Sequence, residues 1–155
     1  MSKADVKGKT VVVTPAITAG AYSASDNIGG KMTLTGAMWS DGGAAVLVSV
    51  LVTDKANIKA PMQVVIFDAD PTAATLTDNA AIVFSTDVAK VVGIVDITAA
   101  DWITMGSMGF ASVSLVRAIE GAAGSNNLWA AAMVTGTPTF VSVADLTFKF
   151  GFERY

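Results

Sequence analysis

The chain has 155 residues, of which 52% are apolar and only 15% charged, and its formal net charge is −3. That apolar content excludes a solvated, disordered polymer, and the length suits one domain with a sizeable core; the ten Lys and Arg are scattered singly, so no basic stripe exists to neutralise nucleic-acid phosphates. With no His and no Cys, disulfides, thiolate nucleophiles, Cys/His zinc sites, Ser-His-Asp triads and imidazole proton transfer are all excluded.

Residues 1–10 are polar and carry Lys3, Lys7 and Lys9, and they read as a flexible arm ahead of a single β-sandwich domain over 11–155. Val11, Val12 and Val13 are followed at once by Thr14 and Pro15, short of the roughly 7–15 apolar residues of a signal peptide, so no cleaved leader is expected. The longest apolar run, 44–52, is about half a membrane span. In 31–37, Lys31, Thr33 and Thr35 alternate with Met32, Leu34 and Ala37, the period of a half-buried strand. The Val/Ile-rich runs 44–52, 63–67, 81–84 and 91–97 fit strands buried on both faces. A further strand is expected at 112–119, with Val113, Leu115 and Ala118 facing one way. The most regular alternation is the last, where Leu146, Phe148, Phe150 and Phe152 interleave with Thr147, Lys149 and Gly151, which points these aromatics into the core.

Turn clusters at 26–30, 40–43, 70–71, 121–127 and 136–138 separate these runs, with Gly supplying positive φ and Asp or Asn satisfying local backbone. Single helical turns fit 78–81, 86–90 and 98–102, the last with Thr98 as cap and Asp101 at the third helical position. Many strands with short connections imply an all-β, antiparallel sandwich, tulip-like or a jelly-roll-like small barrel with short helical turns.

Few constellations suggest chemistry. Asp68, Asp70 and Asp78 could offer oxygens to calcium, but an EF-hand counted from Asp68 would need Gly and Glu where Ala73 and Asn79 stand. The alternative is a strand ending in an Asx turn stopped by Pro71. Asp96 with Asp101, or Asp68 with Asp70, could form a glycosidase carboxylate pair beside Trp39, Trp102 or Trp129, but these Trp read better as core or interface anchors. Gly29-Gly30 and Gly42-Gly43 lack phosphate-loop spacing. Met105 and Met108 suit gap filling in a small-residue core, and Arg117 with Glu120 suits a solvated pair. No catalytic, cofactor-binding or metal-ligating residue is therefore assigned.

Two stretches, Gly20-Ala-Tyr-Ser-Ala-Ser-Asp-Asn-Ile-Gly-Gly-Lys-Met-Thr33 and Val65-Ile-Phe-Asp-Ala-Asp-Pro-Thr-Ala-Ala-Thr-Leu-Thr-Asp-Asn-Ala-Ala81, resemble head decoration or cement proteins of tailed bacteriophages. Val52-Thr-Asp-Lys55, Val91-Val-Gly-Ile-Val-Asp-Ile97 and Trp129-Ala-Ala-Ala-Met-Val-Thr-Gly-Thr-Pro-Thr-Phe140 extend the resemblance over most of the chain after residue 14. It implies a sandwich or tulip-shaped domain on the outer surface of a virion capsid, bridging copies of the major capsid protein near local three-fold or two-fold positions. The sparsely charged, apolar chain together with shell symmetry suggests a homotrimer or homodimer; no cofactor, nucleic acid or membrane is expected, and the composition of the Lys-bearing arm suits docking across an acidic shell. A neck, head-fibre or tail component is the nearest alternative. A carbohydrate-binding adhesion module is the rival from another class, and a small hydrolase a distant third.

Overall fold

A computed structural model describes residues 6–155. Nine strands form two antiparallel sheets: β1 (Lys7–Val13), β9 (Leu146–Arg154), β3 (Ala44–Asp54), β7 (Met108–Glu120) and β6 (Trp102–Met105) in that order, facing β2 (Asn27–Leu34), β8 (Leu128–Val134), β4 (Met62–Phe67) and β5 (Val91–Ile97). Strand pairing explains the order. β1 pairs with β9, β2 with β8, β3 with β7 and β4 with β5, as in one long hairpin. Rolling that hairpin brings β9 onto β3 and β8 onto β4, which is the jelly-roll winding. The two sheets stay separate, so the molecule is an open sandwich and not a closed barrel.

Alternation drives the inner layer. Phe148, Phe150 and Phe152 of β9 and Leu47, Val50 and Val52 of β3 point inward against Ile28, Met32, Val64, Ile66 and the small Ala130 and Ala132. Burying such aromatic and aliphatic side chains contributes roughly 1.5–3 kcal/mol each. Gly29 belongs to an irregular stretch of β2 where the register against β8 shifts. Its φ is +87°, and an added Cβ would lie 2.5 Å from the Pro15 Cβ, so only glycine fits. The β6–β7 hairpin closes through Gly106 and Ser107, both at positive φ (59° and 69°), the backbone of a type I′ turn.

Several expectations need correction. Lys7, Gly8, Lys9 and Thr10 are not arm but strand, because β9 offers them an antiparallel partner from Arg154 to Gly151; their exposed, Lys-bearing pattern suits a sheet edge. Residues 1–5 of the expected arm lie outside the described residues. The run 91–97 is buried on one face only, since β5 is an edge strand with Ile94 and Asp96 exposed. The run 81–84 makes only isolated bridges, Ala81 to Asp26 and Val83 to Thr75, and 78–81 is not helical. Ser85–Lys90 and Ala99–Asp101 are short 3₁₀ helices, the second closed by the reciprocal Thr98–Asp101 capping box. β1, β6 and the Ala-rich β8 were not expected as strands.

Candidate functional site: a strapped face and a bare face

The 68–90 connection between β4 and β5 is too long for a hairpin turn, and it folds back as a strap over the outer face of the β2-β8-β4-β5 sheet. Beneath it, Val65, Phe67, Trp129 and Ala131 form a second apolar cluster with Leu76, Phe84 and Val91 packed on it. Phe67 and Phe84 are tilted with ring centroids 6.2 Å apart. This outer layer is why β4 and β8 are buried on both faces.

Carboxylates fasten the strap. Asp78 accepts from Thr18 Oγ1 (2.7 Å), the Tyr22 hydroxyl (2.7 Å) and the Gly29 amide (2.6 Å). Burial, then the hydrogen bond to Asp78, pushes the Tyr22 phenol well above its ordinary range. Asp87 accepts the Ala73 and Ala74 amides at 2.6 and 2.7 Å and pairs with Lys90 at 2.7 Å. The Lys90 ammonium, helped by those amides against the cost of burial, holds the Asp87 carboxyl below the usual range. Lys90 also donates to the Asp70 carbonyl, and Lys31 pairs with the Asp70 carboxylate at 2.6 Å.

Asp68, Asp70 and Asp78 are therefore not assembled as one ligand set: Asp70 is held by Lys31, and Asp78 is surrounded by three donors. Asp68 and Asp70 line a hollow of about 380 Å³ with Ser125 and Trp129. Among the described residues no group of three or more acidic, His or Cys side chains is placed to hold a metal ion. Asp96 stands exposed on β5, whereas the Asp101 carboxylate is spent on the Thr98 amide and hydroxyl at 2.7 and 2.8 Å.

Sequence reasoning missed a repeated device. In Ser23-Ala-Ser-Asp26, Thr98-Ala-Ala-Asp101 and Ser142-Val-Ala-Asp145, each Asp accepts the amide three residues earlier, at 2.8, 2.7 and 2.8 Å. The shared S/T-x-x-D spacing is the signal that could have revealed it. Asp54 plays a related part, taking the Ala56 and Lys59 amides at 2.9 and 2.8 Å. Most aspartates thus hold loops.

The three Trp divide. Trp102 is buried and donates its indole N–H to the Ala60 carbonyl at 3.2 Å. Trp129 lies under the strap. Trp39 is 54% exposed, with the Lys7 ammonium 4.7 Å and the Arg154 guanidinium 4.9 Å from its ring centroid. Arg117 does not pair with Glu120; its Nε donates to the Val92 carbonyl at 2.7 Å, across the gap between β7 and β5. Met105 fills no core gap: it is exposed beside the β6–β7 turn.

The outer face of the β1-β9-β3-β7-β6 sheet has no strap. Register and the two-residue period place Val12, Lys149, Leu51 and Ser112 in one row across it, Thr10, Gly151, Ser49 and Ser114 in the next, and Glu153, Val46 and Ala118 beyond. Val116 is 86% exposed. Near β6, Leu51, Ile103, Met105 and Phe110 line a depression of about 390 Å³ with Asp101 and Ser112. This face is broad, sparsely charged and open to solvent.

No family model matches the chain, and no curated protein matches its sequence. Solved structures align with it at TM-scores below 0.5. Tomato aspermy virus aligns at 8% identity and a TM-score of 0.44 over 99% of this chain and 79% of that one. The carbohydrate-binding module CBM27-1 of Caldicellulosiruptor saccharolyticus, solved with mannohexaose, aligns at 8% identity and a TM-score of 0.40 over 98% of this chain and 68% of that one. The C-terminal CBM6 of LamC from Zobellia galactanivorans aligns at 10% identity and 0.41, over 93% and 99%.

Proposed function

We propose that this chain is a non-enzymatic structural protein of a virus particle, a decoration or cement protein that binds the outside of an icosahedral phage capsid and bridges neighbouring coat subunits. The observation that carries this reading is that apolar side chains are exposed on both broad sides of one sandwich. Val12, Ile103, Met105 and Val116 lie on the bare side, and Val83, Val88 and Ile94 on the strapped side. A bridge needs two such surfaces, and contiguous exposed apolar area usually marks protein partners. The use of aspartates as loop fasteners, with no His or Cys in the chain, supports a role without chemistry.

The test is to mix the chain with purified shells lacking it, then measure co-sedimentation, copies bound per particle and shell melting temperature. Saturation in the hundreds with a raised melting temperature is the expected result. A handful of copies would indicate a neck or fibre position instead, and no binding would overturn the reading. The sugar-binding alternative rests on Trp39, the exposed indole. Glycan binding that is lost in Trp39→Ala would establish it in place of the shell role.

A further inference from the structure

The bare face has an internal symmetry that the shell role does not require. Its middle row, Thr10, Gly151, Ser49 and Ser114, is built from small side chains joined by register across four strands. Along β9, the exposed Lys149 stands two residues to one side of Gly151, and the exposed Glu153 two residues to the other. On β3 the corresponding positions hold Leu51, opposite Lys149, and Val46, opposite Glu153. Among the described residues, the cation Lys149 and the nearest anion on this face, Glu153, are thus equidistant from the small-residue row, with an aliphatic side chain beside each.

We infer that a second copy of this chain covers the bare face, through a two-fold axis running across the strands along the Thr10–Gly151–Ser49–Ser114 row. A two-fold in that position lays β1, β9, β3 and β7 each antiparallel over its own counterpart. Lys149 then faces Glu153 of the second copy, the reciprocal pair forms on the other side of the axis, and Leu51 packs against Val46. Each residue of the middle row meets itself. Small side chains there let the sheets approach to about the 10 Å of a face-to-face sandwich. Such an interface is isologous, and this surface is complementary to itself in charge and shape. The area suffices: the four strands that cross the axis, about 4.8 Å apart and roughly nine residues long, present about 600 Å², at the lower end of the range per partner of a standard stable interface. The pairing leaves the strapped sides outermost, so in the dimer the two surfaces of a bridge are the strapped sides of the two copies, each with Val83, Val88 and Ile94 exposed, and the bare side serves the second copy instead of the coat.

The experiment uses the full chain without shells, and reads mass by light scattering and sedimentation across a concentration series. A dimer at micromolar concentration is expected. Lys149→Glu sets like charges opposite each other twice and should raise the dimer dissociation constant at least about tenfold, and the double variant K149E/E153K should restore it. Ser114→Arg places two guanidinium groups together at the axis and should give monomers with an unchanged far-ultraviolet circular dichroism spectrum. A monomer at all concentrations, a trimer, a Lys149→Glu variant that dimerises normally, or a double variant that fails to recover would each overturn the inference. Loss of shell binding with the dimer intact would remove the proposed function alone, so the two readings fail separately.

Discussion

The two outer faces of this sandwich are made by the same chain from similar residues, yet one is covered and the other is not. On the β2-β8-β4-β5 side, the 68–90 strap brings Leu76 and Phe84 down onto Phe67 and Trp129 and is pinned by Asp70, Asp78 and Asp87. On the other side Leu51, Phe110 and Val116 have no such cover. A β-sheet with apolar residues on both sides needs three layers; here the chain supplies the third layer over one sheet and leaves the outer face of the other open to solvent.

The strongest way to break the contrast is to remove what the strap sits on. Phe67→Ala, at a fully buried position in contact with Phe84, should cost about 3–5 kcal/mol in denaturant unfolding. Next comes Tyr22→Phe, which takes one donor from Asp78 and the acceptor from the Thr18 amide, at about 1–2 kcal/mol near neutral pH. Because the folded state raises the Tyr22 pKa, this group's contribution is complete below the unfolded value of about 10 and declines as pH rises beyond it. The loss in alkaline melting curves should be smaller in Tyr22→Phe. Asp87 has the opposite sign. Its folded pKa is lowered, so its contribution is present above the unfolded carboxyl value and fades as pH falls through the folded one. Limited proteolysis at about pH 3 should therefore cut within 68–90 before the sheets open, and Asp87→Asn should be cut there already at pH 7. The smallest effect belongs to the bare face: Val116→Thr in dilute, monomeric protein should change stability by no more than about 0.5 kcal/mol.

The fold was legible where a single face is buried. β9 shows it best, since Phe148, Phe150 and Phe152 alternate with solvent-side residues and land in the core. β8 was illegible for the converse reason: Leu128–Val134 is covered by the inner core on one side and the strap on the other, so no alternation survives, and three adjacent alanines carry little strand propensity. The apolar run of β5 was read as doubly buried, but its place at the end of the sheet exposes Ile94, and sheet position is not written in a local pattern. The candidate metal carboxylates were legible as an acidic cluster, yet which donors reach Asp78 depends on Tyr22 and Gly29, some 50 residues away in the chain. The bare face lay further out of reach, because Thr10, Ser49, Ser114 and Gly151 become neighbours only once four strands are in register.

The position of β9 carries one more consequence. The last strand of the chain is inserted between β1 and β3, so until it arrives the first sheet lacks its middle and the Phe148, Phe150 and Phe152 layer of the core. This sheet cannot close until β9 is in place, and its long-range pairings put it among slowly folding topologies. A chain lacking β9 would expose the unpaired edges of β1 and β3. The bare face, whose Lys149, Gly151 and Glu153 all come from β9, exists only once that strand is in place.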